Sequence, residues 1–277
     1  MRTDGDAGVF LSVQEVRSLA ETGALQLVDA RSLRAYEEGH LPGALSLPAR
    51  DLNPTVDGTR TLISSERLAE RLHALGLGAG PAVVYAADAG ADAAHLWWTL
   101  DAYGHPAVHL LDGGLRAWQD AGLPLDSGAP ATTPVASPFE PRFDPARLVT
   151  REELLTRLDD DALRIVDTRS REEFDGTLAA ARRGGHLPGA VHADWEEAVD
   201  ADGRLCSEET LRRSWSRTLA APEIATYCQS GVRAAHACAV LRHLGHANAR
   251  LYLGSWAEWG NRTDTPIDTH VPMEVTS

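Results

Sequence analysis

Short apolar runs alternate along this chain with stretches of helical periodicity. "ALQLVDA" (24–30), "PAVVYAA" (81–87) and "AVHLLDG" (107–113) are almost continuously hydrophobic and only a few residues long. Runs of that kind fit strands buried on both faces, as in a parallel sheet. "SERLAERLHALG" (65–76) instead spaces its leucines at helical intervals and ends on glycine, the pattern of an amphipathic helix with a stop signal. Ser12 with Glu15, and Thr150 with Glu153, predict capping boxes that open a helix in each half. "ALRIVDT" (162–168), "EIATYC" (223–228) and "ARLYLGS" (249–255) repeat the strand pattern further on. The expected fold class is α/β: two tandem domains of about 130 residues, each a mainly parallel sheet flanked by helices.

The two halves are copies of one another. "LVDARSLRAYEEGHLPGAL" (27–45) recurs as "IVDTRSREEFDGTLAAARRGGHLPGAV" (165–191), with an insertion in the second version. "VVYAADAGADAAHLWWTLDAYGH" (83–105) matches "ATYCQSGVRAAHACAVLRHLGH" (225–246), and "LLDGGLRAWQDAGLPL" (110–125) matches "YLGSWAEWGNRTDTPI" (252–267). Matches in the same order and at nearly constant offset indicate a duplicated domain. Between the copies, "DSGAPATTPVASPFEPRFDP" (126–145) is rich in Pro, Ser and Ala and reads as an extended connection. The expected division is a first domain over 1–127, a linker over 128–145 and a second domain over 146–277.

Composition narrows the partners. The 277 residues are 43% hydrophobic and 24% charged, with a formal net charge of −14. That balance argues against nucleic acid or an anionic membrane as partner, since both need a basic surface. No apolar run approaches the length of a membrane span, and "MRTDGDAGVF" lacks a secretory leader's apolar stretch. Three cysteines in no zinc-type spacing suit a reducing, cytoplasmic setting in which a thiol stays free. No metal site is expected.

One of those cysteines stands where chemistry is favoured. Cys228 ends a predicted strand and "AAHACAVLRHLG" reads as the next helix, and ligands of open α/β sheets bind beyond the carboxyl ends of strands. The loop Gln229, Ser230, Gly231 and Val232 would turn successive amides toward one anion at a helix N-terminus. Gly231 permits a positive φ there, and Arg233 adds a permanent positive charge that would stabilise a thiolate. In the first copy Ala86 stands opposite Cys228, and Asp92 falls near Arg233. That copy has no nucleophile and carries acid where an anion needs positive potential. Cys238, among Ala, Val and Leu in the following helix, reads as core, and Cys206 as an incidental thiol.

These residues resemble the tandem-domain rhodanese family of sulfurtransferases. The carriers are the paired "VDAR…GHLPGA" and "VDTR…GHLPGA", the "CQSGVR" loop, and the "LDGGLRAW" and "LGSWAEW" segments, which together span nearly the whole chain. The resemblance implies an inactive first domain and a catalytic second one. It also implies a persulfide mechanism on Cys228 that needs no cofactor. Thiosulfate or 3-mercaptopyruvate is the implied small anionic sulfur donor, and cyanide or a thiol the acceptor. Loop amides from Gln229 to Arg233 would stabilise the persulfide. The family's usual donor-binding arginine just before the aromatic falls here on Glu173, beside Phe174. Arg171, and Arg182 and Arg183 in the insertion, are the candidate replacements, with Arg233 as the loop cation. Arg233 favours thiosulfate, the doubly charged donor.

Other features have simpler readings. His40 and His186 occupy the same turn in both copies, as do Asp29 and Asp167, which favours bracing over catalysis. His95 and His236 likewise match and read as helix packing or loop support. Trp195 and Trp256 are candidate pocket walls. Two further functions compete. Cysteine phosphatases and arsenate reductases use a Cys–Arg loop one residue longer than the four-residue spacing here. A persulfide carrier that hands sulfur to a protein partner without turnover would keep the same loop.

Overall fold

The structure, a computed structural model, describes residues 8–21, 23, 25–88, 90–130 and 138–269. Two parallel sheets form its frame. In the first, the strands run in the order Phe10–Leu11, Val108–Leu111, Ala82–Tyr85, Gln26–Asp29 and Leu45–Ser46. In the second the order is Ala249–Leu251, Glu223–Tyr227, Leu163–Asp167 and Val191–His192, which repeats the first without its edge strand. A single parallel bridge from Leu148 to Leu251 stands in that edge position. The apolar runs form the central strands because both faces are covered: Ala82–Tyr85 is buried at every residue, and Ile224–Tyr227 likewise.

The domains meet through matching helices, Ala91–Ala102 and Val232–His243. Both are apolar nearly all round, as expected of helices buried between two sheets. At the far end of this seam Arg242 reaches Asp101 at 2.5 Å and Arg147 reaches the same carboxylate at 3.3 Å. Of the expected linker, residues 131–137 lie outside the described residues. Residues 138–144 pack on the first domain: Pro138 bridges Gly78, Phe139 is buried against His105, and Arg142 donates to the Tyr103 carbonyl.

The two expected capping boxes came out differently. At Ser12 both halves of the box form with Glu15. Thr150 accepts the Glu153 amide, but the Glu153 carboxylate is turned away to Arg250 and Arg157. A charge-assisted bidentate pair outcompetes one amide. A complete box appears instead at Ser170 and Glu173.

The duplicated "GHLPGA" turns are braced alike. His40 stacks on Tyr36 and His186 on Phe174, both with centroids 3.7 Å apart, and each Nδ1 lies 2.8 Å from the carbonyl of its stacking partner. Asp29 holds Arg31 through two oxygens, and Asp167 holds Arg169 in the same way. Arg169 also caps the Gly185 carbonyl and lies 4.5 Å over the Trp256 ring. These are buried structural pairs that fix the sheet-to-turn junction.

Candidate active site

Cys228 sits at the carboxyl end of strand Glu223–Tyr227, four residues before helix Val232–His243. Gly231 caps that helix with φ +84°, and a Cβ there would stand 2.9 Å from both the Cδ1 and the carbonyl oxygen of Leu253. Only glycine fits this turn. Among the described residues, the amides of Gln229, Ser230, Gly231 and Val232 have no protein acceptor. They are therefore free to receive an anion at the N-terminus of a helix of twelve residues.

Behind the cysteine, helix Ser255–Trp259 locks the loop from the other side. The Trp256 amide donates to the Cys228 carbonyl at 2.9 Å and the Ala257 amide to the Gln229 carbonyl at 2.8 Å. Ser255, buried at φ +53°, accepts the Cys228 N–H on its Oγ at 3.2 Å and donates to the Tyr252 carbonyl at 2.8 Å. The first copy repeats the frame: the amides of Leu115 and Arg116 bond the carbonyls of Ala86 and Ala87, and Gly114 has φ +55°. The frame is thus inherited by both domains, whereas the thiol and the serine hydroxyl belong to one.

The expected cations are not equally free. Arg233 forms a bidentate pair with Glu173, at 2.6 and 2.9 Å. Burial alone would push the Arg233 pKa down, but the Glu173 bond and the Cys228 and Glu173 charges raise it. Arg183 donates to the carbonyls of Trp259, Gly260 and Thr265 and to the Thr265 hydroxyl, so its guanidinium ties the insertion to the C-terminal segment. Arg182 is exposed on that insertion, whose Ala180 carbonyl accepts from the Gln229 side chain at 3.2 Å. Arg171 is exposed and lies 5.8 Å over the Phe174 ring. Trp256 is fully buried beneath Arg169 and donates to the Arg183 carbonyl, so it is core and not a pocket wall. The half-buried Trp195 packs its ring edge-on to His236.

Arg60 joins the site without standing in any of the motifs around Cys228. Its Nε donates to the Ser230 carbonyl at 3.1 Å across the domain boundary. The available signal was "VDGTR", a two-residue hairpin turn followed by arginine. Cys238 is fully buried, 3.1 Å from the Thr226 hydroxyl, and burial pushes its thiol up to about 12. Cys206 is half-buried, and burial followed by the Asp200 charge raises its pKa. A cavity of about 770 Å³ opens at the first domain's counterpart loop, lined by Ala86, Asp88, Gly90 and Asp92 and by Trp195. It is roomy because small residues fill that loop; Cys228 itself is only 1% exposed.

Comparison with known proteins agrees with this duplicated frame. The model of the rhodanese-like domain matches twice, over residues 12–121 and 150–262. The chain is 35% identical over 246 residues to a thiosulfate sulfurtransferase of Corynebacterium glutamicum, covering 84% of this chain and 81% of that protein. It is 36% identical over 244 residues to the 3-mercaptopyruvate sulfurtransferase of Homo sapiens, covering 83% and 80%. The crystal structure of SseA from Escherichia coli, described with the "rhodanese" fold of 3-mercaptopyruvate sulfotransferases, superposes with a TM-score of 0.80 at 28% identity. That match covers 90% of this chain and 99% of the other. Two matched domains, one shared strand order and a cysteine-bearing loop present only in the second together place the chain in the family built from rhodanese-like domains.

Proposed function

We propose that the chain is a sulfurtransferase in which the Cys228 thiolate carries sulfur from a small anionic donor to a nucleophilic acceptor. The observation that supports it most is the contrast between Cys228 and Ala86 in otherwise matching loops. With thiosulfate, the thiolate attacks the outer sulfur and the S–S bond breaks. Sulfite leaves with the bonding pair, and a persulfide anion remains on Cys228. Cyanide or a thiol then takes the terminal sulfur and the thiolate returns, which makes the kinetics ping-pong. The free amides from Gln229 to Val232 would stabilise both the thiolate and the persulfide by preorganised hydrogen bonds.

The donor is thiosulfate in this reading, with 3-mercaptopyruvate the alternative, since relatives carrying either name are similarly close. Arg233 no longer decides between them, because Glu173 meets its charge. Arg171 and Arg182 remain as rim cations for the donor, and Arg183 as a clamp on the insertion. The division at 1–127, 128–145 and 146–277 and a cytoplasmic setting belong to the same proposal. The setting is supported by three free cysteines, and no helix among the described residues is long and apolar enough to cross a membrane.

The test is turnover. Purified protein is expected to release thiocyanate from thiosulfate and cyanide faster than it releases pyruvate from mercaptopyruvate, and Cys228→Ser to abolish both. Pyruvate release with a tenfold higher kcat/KM would move the assignment to mercaptopyruvate. A single stoichiometric persulfidation by a protein donor, without turnover, would replace catalysis by sulfur carriage.

A further inference from the structure

The first domain lacks a nucleophile, yet it sends a hairpin to the catalytic loop. Strands Thr55–Val56 and Thr59–Arg60 pair antiparallel around Asp57 and Gly58, whose φ values are +49° and +80°. Two positive φ values in a two-residue turn give the tight hairpin whose twist suits its strands. Asn53 clamps the base. Its Oδ1 accepts the Ile63 amide, its Nδ2 donates to Thr99 Oγ1 at 2.8 Å and to His95 Nε2 at 3.3 Å, and its carbonyl accepts from Arg60 Nη1. Strand Thr59–Arg60 then packs against helix Ser255–Trp259, the helix that holds the Cys228 backbone.

Arg60 is half-buried at this contact and bonds only carbonyl oxygens, those of Ser230 and Asn53. Among the described residues no carboxylate oxygen lies within 4.0 Å of its guanidinium, whereas Arg233 is fully met by Glu173. Burial lowers the Arg60 pKa, and the strongest opposing influence is the charge of Cys228, ahead of Asp92. The guanidinium stays protonated at any working pH. A desolvated cation fixed by neutral acceptors keeps its field, and that field acts on whatever anion occupies the loop.

We propose that Arg60 is the donor-binding cation of the Cys228 site, supplied by the first domain, and that it selects a dianionic donor over a monoanionic one. This rests on the sulfurtransferase reading for the donor's identity but not for the local field. Thiosulfate carries two charges and releases sulfite, so its charged end must be held beside the sulfur under attack. Mercaptopyruvate brings a single carboxylate.

Two measurements on the full chain test this. The first is alkylation of Cys228, followed by peptide mass spectrometry, with anionic iodoacetate and neutral iodoacetamide. In Arg60→Gln the iodoacetate-to-iodoacetamide rate ratio is expected to fall about tenfold, the loss of one charge-assisted interaction. In Arg60→Lys, which keeps the charge, the ratio should stay within about threefold of the parent. The second is steady-state kinetics, where Arg60→Gln should raise KM for thiosulfate about tenfold and for mercaptopyruvate clearly less. An unchanged alkylation ratio in Arg60→Gln, or equal KM increases for the two donors, overturns the proposal. Exposed Arg34→Gln serves as the remote control. If the parent protein turns over neither donor, the sulfurtransferase reading fails, while the alkylation ratio still decides the role of Arg60.

Discussion

Glu173 holds Arg233 in a bidentate pair while its own position is fixed by a capping box with Ser170. One carboxylate thus caps a helix and orients the loop cation next to Cys228. The substitution Glu173→Gln should leave Arg233 uncompensated and make the site more positive. KM for thiosulfate is expected to fall several-fold at low ionic strength, with stability reduced by about 1–3 kcal/mol. Steady-state kinetics in low and high salt, beside urea denaturation, check both parts; a raised KM would show that the pair serves the donor directly. The pH dependence follows from the sign of the shift. Burial raises the Glu173 pKa, but the Arg233 bond and charge outweigh it and leave it below the ordinary value. A depressed carboxyl pKa means the pair is present above the unfolded value and lost only as pH falls through the folded one. The mutant-to-parent ratio should therefore be constant from about pH 5 to pH 8.

Ser255 and Gly114 share one backbone conformation with different consequences. At Gly114 a Cβ would come within 2.4 Å of the Asp88 carbonyl oxygen, so the first domain admits only glycine. At Ser255 the second domain accommodates a side chain at φ +53° and uses its hydroxyl to accept the Cys228 amide. Ser255→Gly relieves a strained φ worth about 1 kcal/mol but orphans a buried N–H costing about 1–3 kcal/mol. Ser255→Ala keeps the strain and also loses the acceptor. The expected order of urea midpoints is parent, then Gly, then Ala, with sulfur-transfer rates in the same order. A glycine variant more stable than the parent would mean that the hydroxyl is not needed by the Cys228 amide.

Gly231 tests the loop from the other side. An added Cβ at φ +84° meets Leu253 at 2.9 Å at two atoms, one of them backbone. Gly231→Ala is expected to cost about 2 kcal/mol or more in stability and to lower kcat/KM by at least tenfold, because the amide cradle must shift. Full activity in that variant would show that the amides of this turn do not need their present alignment.

What could be read in the sequence was what local spacing encodes. The duplicated strands, the Gly231 turn and the Cys228–Ala86 contrast each involve residues a few positions apart, where strand, turn and helix chemistry leave a signature. Partnerships across long separations left none. The Thr150 box looked complete until Arg250, about a hundred residues away, claimed Glu153. Glu173 stands in the sequence only as a carboxylate where the family's donor-binding arginine is expected, because its partner lies 60 residues on. Arg60 went unnoticed because its acceptor, the Ser230 carbonyl, is 170 residues away and in the other domain. Trp256 read as a pocket wall, and only the stacking of Arg169 above it fixed it as core.

The matched histidines of the interdomain helices predict acid sensitivity. His236 is fully buried with neither ring nitrogen bonded, and burial pushes its pKa down to about 4. His95 is pushed to about 3 by burial and then by the Arg60 charge, and its Nε2 accepts from Asn53. Both are neutral in the fold, whereas in the unfolded chain each takes up a proton near pH 6.5. The unfolded state then binds more protons between about pH 6.5 and the folded pKa, so stability falls as pH drops through that window. Between pH 7 and pH 5 the loss is about 2 kcal/mol per histidine. His236→Phe keeps an aromatic ring against Phe10 and Trp195 and removes one such group. It should shrink the pH 7 to pH 5 drop in unfolding free energy by about 2 kcal/mol, read from urea titrations at the two pH values. His95→Phe should flatten the same curve but also loosen the Asn53 clamp, so it alone is expected to raise KM for thiosulfate. Equal pH slopes in the parent and His236→Phe would mean that His236 is protonated in the fold, contrary to its burial without a partner.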